Sequence, residues 1–197
     1  MGESTGGIGL GATKARGALA LIIIDMISCW DFPDAENLLP GALMITPRIA
    51  ALKARCQRAS VPVIYANDHL GRWRSNFHSL VEMSLNGGGN AAAITTALRP
   101  SDSDYFILKP KHSAFYATPL SLLLHDLKVD RLIITGVASD QCVMASISEA
   151  RMRDLDVVVP RDCVASQTPA RNEAALKHFS EVFKIKTPVG QRLPLPR

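Results

Sequence analysis

The sequence predicts an α/β protein, Rossmann-like, in which three α/β/α layers surround a parallel sheet of about six strands. Apolar runs alternate with helical patterns along the whole chain, and such alternation gives parallel strands joined by crossover helices. The run from Ala18 to Ile24 is apolar at every position, as a strand covered on both faces requires. A length of 197 residues suits one domain that buries about 70% of its unfolded surface.

The elements follow in chain order. Residues 1–15 are glycine-rich and lack the basic and apolar regions of a signal peptide, so they read as a flexible arm. A single domain is expected over 16–190. Its first strand covers 18–25 and ends on Asp25. Residues 40–58 place Leu43, Ile45, Ile49, Leu52 and Cys56 close to a helical repeat, with Pro47 expected in the first turn, where a missing N–H is tolerated. A strand follows at 61–66. The stretch 67–90 is the least regular, with Asp68, His69, Trp73 between Arg72 and Arg74, and three glycines at 87–89. The strand at 105–108 runs into Lys109 and Pro110. Thr118 and Pro119 then mark a helix start before Leu120, Leu123 and Leu124, over 118–126. Strands at 131–136, 156–160 and 182–186 complete the sheet, and 191–197, with Pro194 and Pro196, is an irregular tail.

Three residues carry the chemistry. Cys142 follows the strand at 131–136 and a tight turn, which puts its thiol in the first turn of a helix, where free N–H groups and the helix dipole favour a thiolate nucleophile. The alternative is a small buried hydrophobe. Asp25 and Lys109 each close another strand. Ligands of open parallel sheets bind at the carboxyl ends of the strands, so an acid, a base and a thiol can meet there. Taken singly, Asp25 also reads as a turn aspartate and Lys109 as a solvated lysine.

Composition narrows the function. The 22 basic residues are dispersed among 18 acidic ones, a poor match to nucleic acid. No apolar stretch is long enough for a membrane span. Four cysteines without close spacing and without a secretory signal suit free thiols in the cytoplasm.

With these elements in order, from Asp25 through Lys-Pro-Lys-His-Ser-Ala-Phe at 109–115 to Thr-Gly-Val-Ala-Ser-Asp-Gln-Cys-Val at 135–143, the chain resembles the isochorismatase-like cysteine hydrolases, which include nicotinamidases and N-carbamoylsarcosine amidase. The resemblance covers about 18–188. It implies an isochorismatase-like hydrolase fold and a catalytic group of Asp25, Lys109 and Cys142. It also implies a cis peptide before Ala138, which aims that N–H at an oxyanion shared with the N–H of Cys142. The implied reaction is hydrolysis of a C–N bond in a small amide, ureido or related substrate through a thioester. The alternatives are a non-amide substrate and a degenerate binding protein of the same fold. Relatives are commonly dimers or tetramers, so a homo-oligomer is expected.

Trp30, Phe32, Arg72, Trp73 and Phe115 are the candidate substrate contacts: Trp30 and Phe32 as an apolar wall, Arg72 beside Trp73 as a site for a carboxylate, and Phe115 as pocket or core. Each also reads as ordinary packing or a solvated loop. Nicotinamidases hold a metal through Asp-x-His, whereas Asp68 and His69 are adjacent here and His78 lies nine positions on. No metal or other cofactor is expected.

Overall fold

A computed structural model describes residues 18–69, 71 and 76–196. The expected arm at 1–15, together with Arg72 and Trp73, lies outside the described residues. Strands β1 (Ala18–Ile24), β2 (Val63–Asp68), β3 (Tyr105–Lys109), β4 (Val129–Val137), β5 (Asp156–Val158) and β6 (Val164–Ala165) form one sheet. Its order is β3-β2-β1-β4-β5, with β6 also paired to β4, and every pairing is parallel.

The alternation of side chains along β1 builds two cores. Leu19, Leu21 and Ile23 pack with α1 (Ala35–Arg58), α2 (Phe77–Asn86) and α3 (Gly89–Ala97) through Ile49, Leu80 and Ile94. Ala20, Ile22 and Ile24 face α4 (Leu120–Asp126), α5 (Met144–Met152) and α6 (Pro169–Glu181) through Leu124, Ile147 and Phe179. These are the three layers. Among the described residues, no helix is long and apolar enough to cross a membrane.

Several elements differ from the sequence reading. The expected strand at 182–186 contributes only a bridge from Lys186 to Val158. The sixth strand is instead Val164–Ala165, on Gly136 and Val137, too short to leave a period in the sequence. Helix α1 begins at Ala35, so Pro40 and Pro47 both lie inside it, and tertiary burial outweighs the lost hydrogen bonds. The described part of 67–90 is more regular than expected: the Asn76 side chain accepts from the Ser79 N–H and starts α2, and α3 begins at the last of the three glycines. At α4, the Thr118 hydroxyl accepts from the Leu120 N–H as a cap should, but the helix starts at Leu120 with Pro119 in the cap position.

Candidate active site

Strands β1 and β4 are neighbours, paired from Ala18 with Val129 up to Ile24 with Gly136, yet β1 runs on to α1 on one face and β4 to α5 on the other. Where successive connections diverge in this way, a crevice opens at the carboxyl edge of the sheet. Gly136 makes the approach of the two strands possible. Its φ is +106, and a Cβ there would lie 2.0 Å from the Ile24 carbonyl oxygen.

Asp25 leaves β1 at this edge. Its Oδ1 accepts the Asp68 N–H at 2.7 Å, which fixes the carboxylate, and its Oδ2 lies 2.8 Å from Lys109 Nζ. Lys109, at the end of β3, is wholly buried. A buried ammonium needs partners, and it has four: Asp25, Cys142 Sγ at 3.4 Å, the Lys111 carbonyl at 3.3 Å, and Asp68 Oδ2 at 3.7 Å. Burial opposes its charge, but Asp25, Cys142 and Asp68 outweigh that and hold its pKa above the ordinary lysine value.

Cys142 sits in a π turn, Ser139–Val143, between β4 and α5. The Ala138 carbonyl accepts the N–H groups of Gln141 and Val143, on either side of Cys142, each at 3.1 Å. The Val137–Ala138 peptide is cis, as the resemblance implied. A serine ties the Cys142 turn to the loop after Lys109: buried Ser146 donates to the Cys142 carbonyl at 2.7 Å and accepts from the Ala114 N–H at 2.9 Å.

The thiol environment differs from the one expected at a helix start. Burial, then the charge of Asp25, push the Cys142 pKa well up, and Lys109 pulls it down only in part. The resting sulfur is therefore a thiol at neutral pH, and ionisation must accompany proton transfer. A second polar group also touches it, since His112 Nδ1 lies 3.4 Å from Sγ. His112 was not singled out from the sequence; it stands in a loop three residues after Lys109, where no periodicity marks its direction.

A cavity of about 230 Å³ opens over these groups. Asp25, Cys142, His112 and Ala138 line its reactive side, Asn67, Gln141 and Gln167 supply amide groups, and Phe32 and Leu38 form apolar wall. An isochorismatase domain model matches residues 19–189. The chain belongs to the isochorismatase family. A Bacillus subtilis isochorismatase family protein, YaaI, described as uncharacterized, is 39% identical over 164 residues, covering 83% of this chain and 90% of that protein. Maleamate amidohydrolase of Pseudomonas putida is 28% identical over 165 residues, covering 80% and 76%. The crystal structure of an isochorismatase family protein from Desulfovibrio vulgaris superposes with a TM-score of 0.70 at 25% identity, over 89% and 95% of the two chains. This member of the isochorismatase family is a cysteine-based hydrolase whose thiol contacts a histidine.

Of the candidate substrate contacts, the fold brings Phe32 to the cavity of this isochorismatase-family hydrolase. Trp30 is buried behind it, with ring centroids 5.9 Å apart. Phe115 packs in the opposite core, under the Arg153 guanidinium. Asp68 is drawn towards Lys109, His69 Nδ1 accepts the Gly71 N–H at 3.0 Å, and His78 faces Glu82 on the outside of α2. Among the described residues, no three His, Cys, Asp or Glu side chains are grouped as a metal ion needs.

Proposed function

We propose that the protein hydrolyses the C–N bond of a small amide or ureido substrate, with Cys142 as nucleophile, Asp25 as proton carrier and Lys109 as the fixed cation between them. The observation that carries this reading is the contiguous set of contacts from Asp25 through buried Lys109 to Cys142, whose two ends line the cavity.

Asp25 takes the thiol proton as the sulfur attacks the carbonyl carbon. The C=O π pair moves to oxygen, and the N–H groups of Ala138 and Cys142 receive that oxyanion, each contributing about 3 kcal/mol to the barrier reduction. Protonated Asp25 then gives its proton to the leaving nitrogen, the C–N bond breaks, and a thioester remains on Cys142. Water, deprotonated by Asp25, attacks the thioester and the acid departs with the thiol restored. Lys109 keeps its proton throughout; its charge offsets that of Asp25 and makes transient ionisation of the sulfur attainable.

The cavity volume limits the acyl group to a small one. Phe32 gives it an apolar wall, and Arg72 and Trp73, which precede α2 in the sequence, are further proposed contacts. A name ending in amidohydrolase for the Pseudomonas putida relative supports cleavage at a C–N bond. The same reading has the protein act in the cytoplasm as a homo-oligomer. Free thiols at Cys56, Cys142 and Cys163 suit a reducing compartment, and exposed Phe106 and Leu122 are apolar groups available to a subunit contact. The test is ammonia release from a panel of small amides and ureides. Turnover of at least one, lost in Cys142→Ala, is expected; a panel that yields none would refute the amide reading.

A further inference from the structure

We propose that Asp140 is a positioning residue that sets the nucleophile turn by tying it to α6. The inference rests on the reading of Cys142 as nucleophile.

The turn that carries Cys142 is a single π turn, a rare form that occurs mostly in single turns and frequently at functional sites. Its position relative to the cavity depends on contacts with the elements around it. Asp140 lies two residues before Cys142, and its carboxylate points away from the cavity to two partners. Oδ2 accepts from Arg171 Nε of α6 at 2.6 Å, and Oδ1 accepts from the Ser166 hydroxyl, just beyond β6. Ser166 also contacts Gln167 Oε1 at 2.9 Å. The clamp therefore joins the turn to the segment that supplies Gln167, and Gln141 and Gln167 both line the cavity. Asp140 does not line the cavity and can act only through the backbone it holds.

Two features argue that this set positions the turn more than it stabilises the fold. Arg171 is nearly half exposed, and ion pairs so placed add little stability because solvent screens them. The geometry is nonetheless specific, with each carboxylate oxygen engaged by a different element. A nucleophile displaced by about 1 Å loses on the order of a hundredfold in rate, so a clamp with little effect on stability can have a large effect on turnover.

The experiment compares Asp140→Ala, Asp140→Asn, Arg171→Met, Arg171→Lys and the Asp140→Ala/Arg171→Met pair, on a substrate found by ammonia release. Melting temperature and the rate of Cys142 alkylation by iodoacetamide are measured alongside. Asp140→Ala and Arg171→Met should each lower kcat by about tenfold to a hundredfold, with KM nearly unchanged and a melting temperature close to that of the wild type. Asp140→Asn, whose amide oxygen can still accept from Arg171, and Arg171→Lys should recover much of the loss. The pair should be no slower than the worse single variant, because both remove one clamp. Folded Arg171→Met and Asp140→Ala proteins with wild-type kcat would overturn the proposal, as would losses that multiply in the pair. Turnover by Cys142→Ala would instead sink the nucleophile reading, which separates the two failures.

Discussion

Lys109→Met removes the cation from the centre of the site while keeping most of its volume. Lys109 Nζ is 3.4 Å from Cys142 Sγ, and a unit pair at that separation interacts by about 5 kcal/mol at an effective dielectric constant of about 20. Water entry and relaxation of Asp25 offset part of this. If roughly half survives, the thiolate population falls on the order of a hundredfold at fixed pH, since about 1.4 kcal/mol is a factor of ten. Only the thiolate is alkylated, and the wild-type sulfur is already protonated at neutral pH, so the rate tracks that population directly. The assay is the rate of iodoacetamide labelling of the Cys142 peptide at pH 8, read by mass spectrometry so that Cys29 does not contribute, with circular dichroism to establish folding. A folded Lys109→Met protein labelled at the wild-type rate would show that the ammonium does not stabilise the thiolate.

Three further outcomes are expected. Asp25→Asn should label faster than wild type, because Asp25 raises the Cys142 pKa, and yet release no ammonia; retained turnover would remove Asp25 from the proton path. Stability should fall at alkaline pH: burial pushes the Cys56 thiol from 9.0 up to about 11, against a smaller opposite pull from Arg55. The folded thiol therefore stays protonated where the unfolded one ionises, and the contribution present below pH 9 is lost towards pH 11. Cys56→Val should flatten that fall in melting temperature, and an unchanged slope would contradict the assignment. Gly136→Ala should cost more than about 3 kcal/mol, since the added methyl meets the Ile24 carbonyl at a φ that side chains rarely adopt; a soluble variant with wild-type melting temperature would be incompatible with this strand approach.

The parts legible in the sequence are those written in long apolar runs. Strand β1 announces itself through seven apolar residues, and the meeting of Asp25, Lys109 and Cys142 was legible because each follows a strand in an alternating α/β pattern. Short or locally unfavourable elements were not legible. Strand β6 has two residues and no period, and the prolines at 40 and 47 obscure a helix that burial of Leu38, Ile45 and Ile49 sustains. Phe115 illustrates a different limit: an aromatic close to Lys109 in sequence faces the opposite core, because a loop can turn a side chain either way within a few residues. His112, in the same loop, turns towards the thiol. The state of that thiol also escaped a local reading, because the helix start favours the thiolate whereas burial and Asp25, a residue far off in sequence, outweigh it.

Acid-quenched mass spectrometry during turnover tests covalent catalysis at Cys142 most directly. With a substrate from the ammonia-release panel, the peptide holding Cys142 should gain the mass of the acyl group, and Cys142→Ala should show neither the adduct nor ammonia. A folded Cys142→Ala protein that releases ammonia at the wild-type rate, with no adduct on the wild-type peptide, would contradict the claim.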